Sequence, residues 1–193
     1  VLSDLAARNI SYVHAYCVDN CLVRVADPVF IGYSILKQAD CAAKVVPKAS
    51  PSESYENDLA FHIARKKIAH IDLESGSLVK PSKPNGMKLE MFVFDVFPYT
   101  KNFAVLEVAR NEEFSPLKNA PGTGSDDPET SRRDLLAQHK RFLEGAGAFV
   151  KDGVEIELSP LVSYAGEGLS GVKGKTYAKS GIAEALEELD ALA

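Results

Sequence analysis

The first 46 residues predict a strand, a helix and a second strand in succession, and this order constrains the fold more than any other feature. Ile10–Val18 is β-branched and aromatic and is apolar on both alternating faces in its second half, as in a strand buried between two layers. Asp27 and Pro28 predict the N-cap and first position of a helix that runs to about Gln38. Cys41–Val46 predicts the second strand. Such a unit favours a parallel sheet in an α/β protein.

Predicted helices, strands and loops alternate along the rest of the chain. Helices are predicted at Leu2–Asn9, Asp58–Lys67, Leu89–Tyr99 and Ile182–Leu192, and strands at Ile68–Leu73, Phe103–Val108 and Phe149–Leu158. Asp127 and Pro128 open a further helix, whose apolar stripe runs down to a Gly145 C-cap. Two stretches rich in glycine, proline and serine, at residues 74–86 and 119–127, predict loops.

Composition and charge exclude several classes of protein. Of the 193 residues 46% are hydrophobic and 25% charged, which is typical of a globular protein rather than a disordered or fibrous one. The net charge of −5 argues against a nucleic-acid partner. No apolar run reaches the roughly 18 residues of a membrane span, and no secretory signal is visible. The odd number of cysteines (Cys17, Cys21 and Cys41) favours the reducing environment of the cytoplasm.

Asp19 is the strongest candidate that the residues themselves provide. A carboxylate at the carboxyl end of a buried parallel strand lies where open α/β sheets bind ligands, and carboxylate oxygens suit Mg²⁺. The alternative is that Asp19 caps the loop that starts at Asn20, and both interpretations stay open. The four histidines lack metal-ligand spacing, and His14 and His139 are interpreted as core residues.

Two lysines are weaker candidates for binding phosphate. Lys88 follows a Pro-Asn-Gly turn and is expected at the start of the next helix, where exposed N–H groups favour anions. Lys118 lies in the loop FSPLKN. Most lysines after turns are simply solvated, so a binding role and a surface role both remain open.

Several segments, taken together, resemble one enzyme family. They are YCVDN (Tyr16–Asn20), VADPVFIGY (Val25–Tyr33), KPNGMKLEMFVFDVF (Lys83–Phe97), EFSPLKN (Glu113–Asn119) and SPLVSYAGEGL (Ser159–Leu169). In this order they resemble the eukaryotic UDP-N-acetylhexosamine pyrophosphorylases, which are also called UDP-N-acetylglucosamine diphosphorylases. The resemblance covers nearly the whole chain.

The resemblance implies a fold and a reaction. The fold would be α/β, with an incomplete Rossmann-like nucleotidyltransferase domain at residues 1–120 and a helix plus a smaller β-rich region at residues 121–193. The reaction would join UTP and N-acetylglucosamine 1-phosphate with Mg²⁺ and release pyrophosphate. The expected ligands are therefore UTP and an N-acetylhexosamine 1-phosphate. Exposed sheet edges leave self-association open as well.

The resemblance also assigns roles to five residues. Asp19 matches an aspartate associated with the metal and the nucleotide, and Lys88 matches a lysine that contacts the nucleotide phosphates. Lys118 matches a lysine that binds the sugar nucleotide. Phe92 and Phe94 match aromatic positions near the N-acetyl group of the sugar. In one regular helix these two rings would point about 200° apart, so either the segment is partly extended or one ring belongs to the core.

Two departures from the family pattern support an alternative interpretation of the function. The family's Gly-rich phosphate loop and its uracil-binding residues, expected upstream of Val1, are absent from this sequence. A gap is also expected after Glu53, where family members continue with a strand that binds the hexosamine. The alternative is therefore a catalytically inactive fragment of the enzyme, which lacks much of the uridine and sugar site.

Overall fold

Short helices and strands make up the described part of the chain. The computed structural model describes residues 1–47, 62–90 and 93–193, and at residues 62–64, 88–90 and 93–94 it describes the backbone alone. The helices are α1 (Leu2–Ala7), α2 (Pro28–Leu36), α3 (Arg110–Glu113) and α4 (Pro128–Gly145), with 3₁₀ segments at Val93–Tyr99, Ser170–Val172 and Leu186–Leu192. The strands are β1 (Cys41–Val45), β2 (His62–Lys66), β3 (His70–Ile71), β4 (Leu78–Val79), β5 (Gly86–Glu90), β6 (Phe103–Glu107), β7 (Phe149–Val150), β8 (Ile156–Leu158), β9 (Thr176–Tyr177) and β10 (Gly181–Ala183).

The strand predicted at residues 10–18 is wrong. This segment forms no strand, and several of its apolar side chains are exposed, including Val13 (74%) and Val18 (96%). β-branched and aromatic residues form a strand only where a neighbouring strand pairs with them and a second layer covers them. No strand among the described residues pairs with this segment. The first strand of the expected strand–helix–strand unit is therefore missing, whereas the helix and the second strand are confirmed as α2 and β1.

β1 and β6 form a parallel pair that α2 covers on one face. The register runs from Cys41 opposite Phe103 to Val45 opposite Glu107. α2 packs against both strands, and the Tyr33 hydroxyl on this helix donates to the Val105 carbonyl at 2.9 Å. The pairs in the described residues are all two-stranded, so the expected Rossmann-like sheet is present only as a mixed α/β arrangement of small sheets.

Two predicted helices are strands over part of their length. Residues 62–66 form β2 rather than the end of a helix, and residues 86–90 form β5, antiparallel to β2. The segment Val93–Tyr99 is helical but of the 3₁₀ type, with Pro98 inside it. Apolar spacing in so short a segment fits either period, and the pairing of residues 62–66 with residues 86–90, which lie 20 to 28 positions further along the chain, decided the outcome. Residues 58–61 and 91–92 lie outside the described residues.

The main hydrophobic core lies toward the end of the chain. It is formed by α4, by the parallel pairs β7–β9 and β8–β10, and by the last 3₁₀ segment. The fully buried members are Leu143, Val150, Ile156, Leu158, Leu169, Val172, Tyr177, Ala183 and Leu189. The strand predicted at Phe149–Leu158 is divided into β7 and β8, and the helix predicted at Ile182–Leu192 is β10 followed by a 3₁₀ segment. The division into domains at residue 120 stays a prediction.

α4 follows its sequence signals closely. Asp127 is the N-cap and forms a capping box with Thr130, and His139 and Leu143 lie buried on the predicted stripe. The helix ends at Gly145, but the left-handed residue after it is Gly147, with φ of +90°. Within the described residues, every helix is too short or too polar to cross a membrane.

Candidate functional site

Two of the predicted site residues are brought together by an antiparallel contact between distant segments. The Leu117 N–H donates to the Asp19 carbonyl at 2.7 Å, and the Cys21 N–H donates to the Ser115 carbonyl at 3.1 Å. The Asn20 side chain lies between them. Its amide group donates to the Glu113 carbonyl at 2.7 Å and its oxygen accepts from the Ser115 N–H at 2.8 Å. Half-buried Asp19 therefore lies beside the residue that precedes Lys118.

Lys118 is exposed on a loop that a helix cap holds in place. Its N–H and that of Asn119 both donate to the Asp126 carbonyl, at 2.8 and 2.9 Å. Asp126 has φ of +48°, which turns its carbonyl toward the loop, and the next residue is the N-cap of α4. A positively charged side chain is thus presented to solvent from a backbone that is fixed on both sides.

A charge cluster lies next to this contact, and we define it as Arg24, Asp27, Lys44 and Glu113. The Lys44 ammonium pairs directly with both the Asp27 and the Glu113 carboxylates. These two carboxylates are nearly buried, with 3% and 10% of their side chains exposed. Arg24 is more distant, with 3.8 Å between its Nη1 and Glu113 Oε1.

The charge cluster occupies the carboxyl edge of the parallel pair. Lys44 is near the end of β1, and Glu113 closes α3, which follows β6. The Val108 N–H donates to the Val45 carbonyl at 2.9 Å, so the two chains are still paired where the strands end. Ligands of open α/β sheets bind at this edge.

Burial alone would raise the pKa of Asp27, but the observed shift is downward. The hydrogen bond from Lys44, the Val29 N–H and the charges of Lys44 and Arg24 together hold the pKa of this carboxyl below its usual value. Asp27 is thus ionised and serves two purposes. It caps α2 through the Val29 N–H at 2.9 Å, and it pairs with Lys44.

The loop at residues 163–168 lies next to the charge cluster. The Tyr164 hydroxyl donates to the Val25 carbonyl at 2.9 Å. Glu167 accepts from the Tyr164 and Ala165 N–H groups at 2.9 and 2.7 Å, and the first of these bonds contributes most to lowering its pKa. Four of the five segments that carry the family resemblance therefore meet at one place.

Of the remaining predicted residues, the structure describes the backbones of Lys88 and Phe94. Lys88 belongs to β5 opposite Ala64, so the expectation that it begins a helix is wrong. Phe94 belongs to the 3₁₀ segment at Val93–Tyr99, and Phe92 lies outside the described residues. Because β5 ends at Glu90 and a 3₁₀ segment follows, the single regular helix that set the two rings apart is not formed.

A cleft of about 450 Å³ lies on the α4 side of the loop that carries Lys118. Three arginines line it, but Arg133 pairs with Asp134 and Arg141 pairs with Glu112. The Asp134 carboxylate also accepts from the Ser115 hydroxyl at 2.8 Å. The charges that line this cleft largely compensate each other, and of the four family-resembling segments that meet at the charge cluster, one (Glu113–Asn119) contributes to its lining.

The described residues contain no group of three or more histidine, cysteine, aspartate or glutamate side chains that could hold a metal ion. Asp19 offers a single carboxylate. Mg²⁺ in phosphate-transfer sites is held by one or two carboxylates together with substrate phosphates, so a single aspartate fits an ion that arrives with its substrate.

The relatives that comparisons with known proteins find share one family name. No family model matches the chain. The mouse UDP-N-acetylhexosamine pyrophosphorylase-like protein 1 is 40% identical over 88% of this chain and 48% of its own length. The UDP-N-acetylglucosamine pyrophosphorylase of Saccharomyces cerevisiae is also 40% identical, over 93% of this chain and 50% of its own length. This chain belongs to the UDP-N-acetylhexosamine pyrophosphorylase family.

Solved structures of the family superpose on this chain as well. An Entamoeba histolytica protein designated UDP-N-acetylglucosamine pyrophosphorylase matches with a TM-score of 0.74 at 29% identity, over 86% of this chain and 55% of that protein. The corresponding Trypanosoma brucei enzyme, solved with an inhibitor, matches with a TM-score of 0.60 at 29% identity, over 79% of this chain and 43% of that protein.

The chain spans about half the length of the curated relatives that it matches. The alignment to the mouse relative runs over 243 residues, which exceeds the 193 residues of this chain. The matched part of that pyrophosphorylase relative therefore contains residues with no counterpart here. An internal gap was expected from the sequence, and its position after Glu53 stays a prediction.

Sequence reasoning missed the charge cluster of this family member. A signal for Lys44 was available, because it is the one charged residue in the predicted strand Cys41–Val46. Lysine is rarely taken out of water unless it is paired, so a lysine in a half-buried strand favours a carboxylate partner. Nothing local indicates that the partner is Glu113, which is 69 residues away.

Proposed function

We propose that this chain takes part in forming UDP-N-acetylglucosamine and pyrophosphate from UTP and N-acetylglucosamine 1-phosphate. The observation that carries the proposal is the contact between residues 19–21 and 115–117, which brings Asp19 and the Lys118 loop to the carboxyl edge of the parallel pair. The names of the relatives supply the reaction and its substrates. The proposal concerns the activity of a longer relative, of which this chain matches half.

The proposed reaction requires little covalent work from the protein. An oxygen of the sugar phosphate forms a bond to the α-phosphorus of UTP, and the bond from that phosphorus to the bridging oxygen of the leaving group breaks. The electron pair leaves with pyrophosphate. Catalysis of such a transfer rests on positioning the reactants and stabilising charge on the phosphates. Lys118, exposed and fixed by its backbone bonds to Asp126, would bind and orient the sugar nucleotide.

Mg²⁺ is proposed as the cofactor, with Asp19 as the residue that would hold it. When bound, the ion would neutralise charge on the substrate phosphates. The single half-buried carboxylate supports an ion held mainly by substrate oxygens. Lys88 is proposed to contact the nucleotide phosphates, and Phe92 and Phe94 the N-acetyl group, on the strength of the family resemblance alone.

We also propose the cytoplasm as the compartment. The three cysteines are free thiols. Free thiols suit a reducing environment.

The proposal is tested by direct product formation. The purified chain is incubated with UTP, N-acetylglucosamine 1-phosphate and MgCl₂, and both UDP-N-acetylglucosamine and pyrophosphate are quantified. We expect both products in equal amounts, and a loss of roughly a hundredfold or more in kcat/KM for Asp19→Asn and Lys118→Met. Lys151→Met, at an exposed position directly after β7, is the matched control and should leave kcat/KM unchanged.

The result also decides between the proposal and its alternative. A folded chain that forms neither product contradicts the proposal and favours a catalytically inactive fragment. If Lys118→Met and Lys151→Met reduce product formation equally, the proposed role of Lys118 in binding the sugar nucleotide is contradicted.

A further inference from the structure

Arg24 is the one member of the charge cluster whose partner is distant. Its Nη1 lies 3.8 Å from Glu113 Oε1, which exceeds hydrogen-bond length. Lys44 already pairs directly with that carboxylate and with Asp27. Arg24 makes no hydrogen bond to any of the described residues, although only 23% of its side chain is exposed.

A half-buried guanidinium group that makes no hydrogen bonds is unusual. Arginine carries five N–H donors in a planar fork, and such groups are normally paired when they leave bulk water. The only side-chain N or O atom that is both sealed from solvent and unpartnered in the described residues is the Tyr177 hydroxyl. The Arg24 nitrogens therefore still reach solvent, and a ligand can reach them.

The backbone on both sides of Arg24 is fixed. Asn20, four residues earlier, is tied to Glu113 and Ser115, and the Val25 carbonyl accepts from the Tyr164 hydroxyl. The side chain thus starts from a rigid segment at the place where the predicted substrate-binding segments meet. Its positive charge also acts on Tyr164 and Glu167 of the loop at residues 163–168.

We propose that Arg24 binds a phosphate group of the reactants through its unpaired N–H donors. A planar guanidinium matches two phosphate oxygens at once, which a lysine ammonium cannot do. Three carboxylates (Asp27, Glu113 and Glu167) lie nearby, and their negative charge would repel a bare anion. A phosphate group that carries its own divalent cation therefore fits this place better. The inference rests on the proposed function, because the phosphate is one that a reactant or product of the proposed reaction carries. It belongs either to UTP and pyrophosphate or to the sugar phosphate.

The same contacts indicate that Arg24 contributes little to the stability of the fold. Asp27 and Glu113 keep Lys44 as a partner when Arg24 is replaced. Arg24→Gln is therefore expected to fold and to unfold at a temperature close to that of the unmodified chain. A merely structural Arg24 would show the opposite pattern, with a lower Tm and no selective effect on phosphate ligands.

The test is a binding measurement that does not require turnover. The unmodified chain, Arg24→Gln, Arg24→Lys and Arg133→Gln are titrated by calorimetry with pyrophosphate, UTP and N-acetylglucosamine 1-phosphate, each with MgCl₂. Arg133 is the matched control, because it is exposed on α4 and pairs with Asp134. We expect Arg24→Gln to weaken binding by roughly tenfold to a hundredfold, as for a hydrogen bond to a charged group. Arg24→Lys should weaken binding by less than Arg24→Gln, and Arg133→Gln should not change it.

The three ligands identify the source of the phosphate. A loss confined to UTP and pyrophosphate places Arg24 on the nucleotide side, and a loss confined to the sugar phosphate places it on the acceptor side. Equal affinity of the unmodified chain and Arg24→Gln for all three overturns the proposal, as does an unmodified chain that binds none of them. If Arg24→Gln does not fold, the Arg24→Lys titration decides by the same criterion.

Failure of the inference and failure of the proposed function give different results. Phosphate binding that depends on Arg24, in a chain that forms no UDP-N-acetylglucosamine, contradicts the proposed function and leaves the role of Arg24 standing. Product formation with unchanged kcat and KM in Arg24→Gln overturns the role of Arg24 alone.

Discussion

Lys44 is the residue on which the charge cluster depends most. It is the direct partner of two nearly buried carboxylates, Asp27 and Glu113. A buried ion pair adds little net stability compared with apolar residues, but removal of one partner leaves the other charge buried and uncompensated. Here a single removal would leave two carboxylates in that state, with only the distant Arg24 beside them.

Lys44→Met is expected to lower the free energy of unfolding by about 3–5 kcal/mol, because methionine keeps the apolar stem and removes the charge. Urea unfolding followed by circular dichroism measures the difference. Lys140→Met is the control, since Lys140 forms a half-exposed pair with Glu144 at 3.7 Å. The control should change stability by less than about 1 kcal/mol. Equal effects of the two substitutions would contradict the importance of Lys44.

His139 makes the stability of the fold depend on pH. Burial lowers the pKa of His139, and the nearby charge of Glu157 opposes this only in part. The ring is neutral, and its Nδ1 accepts from the Leu158 N–H at 3.0 Å. Since the pKa is near 6.5 in the unfolded chain, the unfolded chain takes up a proton first as the pH falls. Stability is fully present above that value and decreases as the pH falls toward the lower pKa of the folded state.

We expect the free energy of unfolding to decrease between pH 7.5 and pH 5.5 and His139→Asn to reduce that decrease. The asparagine oxygen can accept from the Leu158 N–H but does not titrate. Urea unfolding at several pH values gives the slopes, and His70→Asn, at an exposed position, is the control. A slope that His139→Asn leaves unchanged would show that another group causes it.

At the scale of elements, α4 connects the Lys118 loop to the main core. Its N-cap Asp127 accepts from the Thr130 N–H at 2.9 Å and from the Gly124 N–H at 2.6 Å. The bond from Thr130 is the largest cause that lowers the pKa of Asp127 to about 2. One carboxylate therefore fixes both the start of the helix and the loop that precedes it.

Asp127→Ala is expected to accelerate amide hydrogen exchange at Thr130 and Gly124, because both N–H groups lose their acceptor. Asp127→Asn keeps an oxygen at the cap and should show a smaller effect. Exchange measured residue by residue also shows how far the loosening spreads. If Lys118 and Asn119, which donate to Asp126, exchange at unchanged rates, the cap does not hold the loop.

At the scale of the whole molecule, apolar burial is unevenly distributed. The fully buried cluster lies within residues 143–189. By contrast, the face of the β1–β6 pair away from α2 exposes Val45, Phe103 and Val105 at 38%, 38% and 47%. No further strand among the described residues pairs with either outer edge of β1 and β6. Parallel sheets are normally covered on both faces, and open edges favour association.

We expect the chain to self-associate at micromolar concentration, so that its average mass in sedimentation equilibrium rises with concentration. Val105→Lys places a charge on the exposed sheet face and should shift the equilibrium toward the monomer. Leu161→Lys is the control, because Leu161 is 92% exposed and lies outside the sheet. A mass that stays monomeric over the whole range contradicts this expectation.

Elements with local signals were predicted well, and elements that depend on distant partners were not. The proline after Asp27 and after Asp127 gave the starts of α2 and α4 correctly. Residues 10–18 and 62–66 carried patterns that fit a strand and a helix respectively, yet the pairing available in the folded chain decided against both. At the candidate site, the contact between Asp19 and the Lys118 loop is consistent with the roles assigned from the family resemblance. Those roles remain predictions.

The sequence by itself determined the family, the capped helices, and strands β1 and β6. The reason is that a cap or an apolar stripe involves residues three or four positions apart, and a family motif is a matter of residue identity alone. The tertiary structure alone decided that residues 10–18 stay unpaired, that β2 pairs with β5, and that Lys44 meets Glu113 across 69 positions of the chain. Strand pairing and buried ion pairs need a partner brought from elsewhere in the chain, and only the folded backbone determines which partner arrives.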